Sequence, residues 1–80
     1  VEYKVDRVVD CVGMYCPIPL FNTMEALEDM KPGEVLRLVT GDRGALTDIP
    51  RWVKSSGHRL LKVYEEDGCF NFLIMKMEVK

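Results

Sequence analysis

Apolar positions along this chain alternate between strand-like and helix-like spacing. Val5 to Cys11 reads as a first strand with Val8 and Val9 as its apolar centre. Leu20, Met24, Leu27 and Met30 then recur at helical intervals, with Asn22, Thr23, Glu25, Glu28 and Asp29 between them. That spacing predicts an amphipathic helix from Cys16 to about Met30. Pro32-Gly33 stops it and turns the chain. Glu34 to Thr40 is a second strand, and Gly41-Asp42-Arg43-Gly44 a loop. Asp48 is placed as the N-cap of a short helix through about Ser56, with Pro50 in its first turn and Gly57 as its stop. Ile49, Trp52 and Val53 would form its buried face. Arg59 to Glu65 is a third strand, Glu66-Asp67-Gly68 a hairpin turn, and Phe70 to Val79 a long fourth strand.

The order βαβαββ implies an α+β two-layer sandwich. Each helical crossover returns the next strand parallel, and the final hairpin makes the last strand antiparallel. The expected fold is a four-stranded mixed sheet with two helices on one face, spanning residues 1–80 as a single domain. The carboxyl ends of the parallel strands share one edge, where open α/β sheets place ligands. Cys16, the Gly41 to Thr47 loop and the hairpin tip with Cys69 fall there. Met30 to Gly33 and Ser56-Gly57-His58 fall at the opposite edge. His58, the only histidine, therefore reads as a solvated residue after a helix stop rather than as a base for Cys16.

Composition narrows the function classes. Eighty residues give a thin core with little room for a deep pocket or an organic cofactor, and none is expected. A net charge of −2 argues against direct nucleic-acid binding. No apolar run approaches a membrane span, so no membrane partner is expected. The 3 cysteines form no C-x-x-C pair, which disfavours a disulfide framework or a zinc site and points to a reducing cytoplasm. The methionines are spread along the chain and read as core filling rather than metal ligands.

Cys16-Pro17-Ile18-Pro19 is the stretch that carries chemistry. A cysteine at the N-cap, with Pro17 at the first helical position, faces unpaired N–H groups and the positive end of the helix dipole. Both favour thiolate. A small buried apolar cysteine that merely precedes a helix fits this element alone equally well. Pro17 and Pro19 remove two donors from the first turn, so the expected pKa depression is modest, which suits thiol exchange. Met14 and Tyr15 beside Cys16 would form a small apolar collar for partner docking. Asp10 and Gly13 would shape the turn from strand to helix.

Asp10, Gly13, Cys16, Pro17 and Pro19 together read D-x-x-G-x-x-C-P-x-P. Downstream follow Lys31-Pro32-Gly33-Glu34, Asp48-Ile49-Pro50 and Gly57-His58. Across nearly its whole length the chain resembles the TusA/SirA-like family of small sulfur carriers. The resemblance implies a strand order of 1-2-4-3 and a single cysteine, Cys16, that carries a persulfide stoichiometrically. Its partners would be a cysteine desulfurase or rhodanese-type donor and a sulfur-acceptor protein. Downstream uses would be tRNA thiolation, cofactor sulfuration or sulfur oxidation. The alternative is a thiol-based redox or regulatory module in which Cys16 pairs with Cys11 or senses oxidants. Two departures from the pattern stand out. Cys11 and Cys69 are extra thiols, and Arg43 replaces the usual proline after Asp42. Arg43 would stabilise the thiolate, steer an acidic partner, or be a solvated loop residue.

Overall fold

The computed structural model describes residues 3–14 and 18–78. The elements run β1 (Arg7–Cys11), α1 (Ile18–Glu28), β2 (Val35–Thr40), α2 (Ala45–Ser56), β3 (Arg59–Glu66) and β4 (Cys69–Met75). The strands form a mixed sheet of order β1-β2-β4-β3. β1 lies parallel to β2, while β4 runs antiparallel to both β2 and β3. The βαβαββ order and the strand order expected above are both present.

Registers explain why both helices share one face. Leu36 pairs with Ile74, Leu38 with Phe72 and Thr40 with Phe70, so these side chains point the same way. They are buried together with Ala26 and Leu27 from α1, Met30 just beyond its end, and Ala45, Ile49 and Val53 from α2. The opposite face of the sheet has no helix over it. Asp67 and Gly68 both have positive φ, 54° and 77°, and Glu66 pairs with Cys69. This is a two-residue hairpin of the kind whose twist matches its strands.

The helices differ from expectation in instructive ways. The buried positions of α1 are Pro19, Thr23, Ala26 and Leu27, one residue round from the predicted stripe, and Met24 is exposed. Thr23 can occupy the core because its hydroxyl donates to the Pro19 carbonyl at 2.7 Å. The predicted run to Met30 ends instead in tight turns, Asp29 N–H to Ala26 O and Met30 N–H to Leu27 O. α2 begins at Ala45 with Gly44 as its N-cap, so Asp48 is not the cap and Pro50 lies inside the helix. The cause is upstream. The Asp42 carboxylate accepts Gly44 N–H at 3.0 Å and the Asp42 carbonyl accepts Ala45 N–H at 3.1 Å. The Asp48 N–H is already bonded to Gly44 O at 3.0 Å. Trp52 is half-buried against the core rather than within it. The fourth strand stops at Met75 because Lys76 turns to bond the α1–β2 connection, giving N–H to Glu34 O and accepting from Gly33 N–H.

Candidate functional site

The cross-strand registers set Cys11, Thr40, Phe70 and Glu65 in one row at the carboxyl edge of the parallel strands. β1 leaves this edge through a tight turn. One Asp10 carboxylate oxygen accepts Val12 N–H at 3.0 Å, and Met14 N–H closes on Cys11 O at 3.1 Å. Gly13 has φ 85°, a value suited to the third position of a type II turn and unfavourable for a residue with a Cβ. Asp10 and Gly13 are therefore turn-forming residues at this edge. Pro19 is buried in the first turn of α1, where its carbonyl takes the Thr23 hydroxyl.

Cys16 and Pro17, with Tyr15 of the predicted collar, lie outside the described residues, and so does the predicted N-cap at Cys16. The residues on either side of them are described. Met14 and Ile18 are exposed, as are Val12 and Phe21, the last two at 52% and 57%. Large apolar groups left in water on both sides of a short segment have a reason to be there. Arg43 is exposed in the loop after β2, its carbonyl accepting Leu46 N–H. No hydrogen bond or ion pair of its side chain is present among the described residues.

Of the extra thiols, Cys11 is fully buried and Cys69 half-buried where β4 begins. One residue that the sequence reading passed over acts here. Asn22 Nδ2 donates to Cys11 Sγ at 3.6 Å and to Met14 Sδ at 3.5 Å, tying both ends of the turn to α1. An asparagine in mid-helix, where its propensity is poor, was the available signal.

His58 corrects another expectation. It is half-buried rather than solvated, its Nδ1 accepting Met77 N–H at 3.1 Å and its ring tilted 5.9 Å from Trp52. Burial, and then the charge of Lys76, push its pKa below the ordinary 6.5. It borders a groove of about 240 Å³ with Met24, Leu27, Glu28, Trp52, Lys76 and Met77. Arg59 opposite Met75 marks this as the other end of the sheet from Cys11. Among the described residues no group of His, Cys, Asp and Glu is arranged to hold a metal ion. None of their helices is long and apolar enough to cross a membrane.

Comparison with known proteins gives one family. The model of the sulfurtransferase TusA family matches residues 7–76. The sulfur carrier protein TusA of Allochromatium vinosum is 35% identical over 71 residues, covering 89% of this chain and 93% of the relative. The Bacillus subtilis protein with the provisional name sulfur carrier protein YrkI is 37% identical over 73 residues, 91% of this chain and 97% of the relative. In fold, the chain is similar to the crystal structure of a SirA-like protein from Desulfitobacterium hafniense. That likeness has a TM-score of 0.79 at 23% identity, over 90% of this chain and 99% of the other. A family match running from the first residue of β1 to just past the last of β4, together with relatives similar over almost their full lengths, places this chain in the sulfurtransferase TusA family.

Proposed function

We propose that this protein is a sulfur carrier that accepts a sulfane sulfur on Cys16 and relays it to an acceptor protein. The Cys16 thiolate attacks the terminal sulfur of a donor persulfide. A new S–S bond forms, the donor's S–S bond breaks, and the donor leaves as a thiolate. An acceptor thiolate then attacks the outer sulfur of Cys16–S–SH and regenerates the Cys16 thiolate. Atoms and charge balance in both steps, and the pair needs no external oxidant or reductant. The donor is a cysteine desulfurase or rhodanese-type protein, and the setting is the reducing cytoplasm. tRNA thiolation, cofactor sulfuration and sulfur oxidation are the candidate destinations.

The observation that carries this reading is the family match combined with the position of the C-P-x-P element. The element opens into α1 directly after the β1 turn shaped by Asp10 and Gly13. Exposed Val12 and Met14 precede it, Ile18 within it is exposed, and exposed Phe21 follows it, an apolar surface suited to docking by protein partners. The redox alternative is weakened at Cys11, whose sulfur is buried and holds an Asn22 N–H, a poor state for a resolving thiol.

Mass spectrometry tests the proposal after incubation with a cysteine desulfurase and free cysteine. The expected result is a reducible gain of one sulfur atom on Cys16 in the wild type and in Cys11→Ser and Cys69→Ser, and none in Cys16→Ser. Serine caps helices well, so Cys16→Ser should change stability by about 1 kcal/mol or less. A gain that persists in Cys16→Ser, or a bridge between Cys11 and Cys16 in its place, overturns the proposal.

A further inference from the structure

The segment after β4 is held to the body of the fold at two successive residues, and the two holds differ in kind. Lys76 makes a pair of backbone bonds with the α1–β2 connection. Its N–H donates to Glu34 O at 2.8 Å, and its carbonyl accepts Gly33 N–H at 2.7 Å. Backbone amides do not titrate near neutral pH, so neither bond responds to a proton. Met77 is held otherwise. Its N–H donates to a side chain, Nδ1 of His58, at 3.1 Å. A ring nitrogen accepts a hydrogen bond only while it carries no proton, and in the imidazolium both nitrogens are donors. Met77 is 37% exposed, so packing holds it weakly and the bond to His58 counts for more.

The imidazole is fixed from its own side of the contact. Gly57 ends α2 in the left-handed region, at φ 89°, and turns the chain into β3. The His58 N–H donates to Ser56 Oγ at 3.4 Å, and the ring lies 5.9 Å from that of Trp52. The antiparallel register of β3 and β4 ends with Arg59 opposite Met75. One step further along that register, His58 falls across from Lys76, and its ring reaches the next N–H of the departing strand.

Charged groups reach this ring from several elements. Lys76, on the segment itself, and Glu28, from α1, line the same groove as His58, with uncharged Trp52 from α2. The Lys76 ammonium donates to Glu28 O at 3.3 Å, which keeps its charge over the groove. Arg59 follows His58 on β3, and Glu78 follows Met77. The Glu34 carboxylate, on the connection below, accepts Lys31 N–H at 2.7 Å. Burial and then Lys76 oppose charging of the ring, and together they leave its pKa below the ordinary 6.5.

We propose that His58 is a proton-operated latch on the segment after β4. As the neutral imidazole it fastens Met77 along the groove beside Trp52. As the imidazolium it releases Met77 while Lys76 stays bonded, so that acidification opens this wall of the groove. A proton from solvent takes the Nδ1 lone pair that the Met77 N–H had used, and no covalent bond changes. Because the fastened form keeps His58 neutral, opening takes up a proton. The fastened fraction is therefore constant well above pH 6.5, the ordinary value for the ring, and falls as the pH drops below it. His58 lies at the other end of the sheet from Cys11, so the latch is independent of the sulfur chemistry proposed for Cys16.

The test is NMR on the isotopically labelled full chain between about pH 5 and pH 8, the range in which histidine titrates. Side-chain nitrogen shifts give the tautomer and charge of His58. Solvent exchange of backbone amides, divided by the intrinsic rate at each pH, gives their protection. At the upper pH, Nδ1 should carry no proton. Met77 protection should then fall severalfold with acidification, following the His58 titration, while the Lys76 and Gly33 amides stay protected. His58→Asn, which keeps an acceptor that does not titrate, should leave Met77 protected at every pH. His58→Phe, which keeps a ring against Trp52 without an acceptor, should leave Met77 unprotected at every pH. Should His58→Phe fold poorly, His58→Asn carries the comparison. Lys76→Gln should move the midpoint up and Glu28→Gln should move it down. A proton on Nδ1 at the upper pH, or Met77 protection that is absent or flat across the His58 titration, overturns the proposal. So does an equal loss at Lys76 and Gly33, which means that the whole sheet end frays, or the same fall in His58→Asn.

Discussion

Gly13 and Gly41 offer the same substitution with opposite expected signs. A Cβ built at either position meets nothing within 4 Å, so neither glycine is needed for space. They differ in backbone. Gly13 has φ 85°, whereas Gly41 is not among the positive-φ glycines. Alanine in the left-handed region costs about 1–2 kcal/mol. Against this, replacing glycine reduces the freedom of the unfolded chain and stabilises by about 0.4–1 kcal/mol. Gly13→Ala should therefore lose roughly 1 kcal/mol net, and Gly41→Ala should gain about 0.4–1 kcal/mol. For a domain of this size 1 kcal/mol moves Tm by about 4–8 °C. The two variants should thus fall on opposite sides of the wild type in thermal and urea unfolding. Gly13→Asn should lie between Gly13→Ala and the wild type, since asparagine enters this region more easily. The turn that Gly13 forms leads into the Cys16 segment, so Gly13→Ala should also slow sulfur transfer more than Gly41→Ala does. A Gly13→Ala protein as stable as Gly41→Ala would refute the argument from backbone strain.

Other perturbations probe separate parts of the molecule. Asn22→Ala removes the donor to Cys11 Sγ and Met14 Sδ, but gains up to about 0.7 kcal/mol in helix propensity. Its stability should be nearly unchanged while Cys11 alkylation in the folded state rises; continued full protection of Cys11 would make the contact incidental. His58 is held neutral by burial and Lys76, so the unfolded chain protonates first as pH falls. Unfolding free energy should be level above about pH 6.5, fall below it, and level again once the folded His58 is also charged. His58→Asn, which keeps an acceptor for Met77 N–H, should flatten that dependence in urea titrations across pH. Arg43→Ala should slow protein-to-protein sulfur transfer in a salt-dependent way with Cys16 alkylation unchanged if Arg43 steers a partner. Slower alkylation at neutral pH would assign it to the thiolate instead.

The fold was legible wherever period and punctuation agreed. Alternation in β2 and β4, Pro32-Gly33, Gly57 and Asp67-Gly68 are local signals, and local physics decides them. The errors came where a specific hydrogen-bond partner, rather than residue type or spacing, decides a side chain's place. Met24 looks more core-like than Thr23 by size and polarity, but Thr23 carries its own acceptor in the Pro19 carbonyl. Asp48 and Asp42 are both plausible caps by residue type, and the turn made by Asp42 with Gly44 and Ala45 settles which acts. His58 follows a helix stop as solvated residues often do, yet Met77, 19 positions later, brings its N–H to the ring. Within the candidate site, Asp10 and Gly13 were readable because a turn is a local object. Asn22 was not, because its two sulfur acceptors are 8 and 11 residues away.

Among the described residues, several polar groups around the carboxyl edge bond backbone and sulfur atoms. Asp10 takes Val12 N–H, the Thr40 hydroxyl takes Asp42 N–H, the Asp42 carboxylate takes Gly44 N–H, and Asn22 reaches two sulfurs. Each contact fixes a loop. Hydrolysis of an ester or amide requires a positioned base and oxyanion donors. Sulfane sulfur exchange between thiolates makes smaller demands, because the nucleophile and the leaving group are the same kind of atom and the charge passes from one sulfur to the other. On the proposed reading, catalytic groups can come from the donor and acceptor proteins, and the carrier has to present a sulfur and be recognised twice. Recognition then falls to surfaces. The exposed apolar residues beside the C-P-x-P element are where this small fold has surface to spare for it.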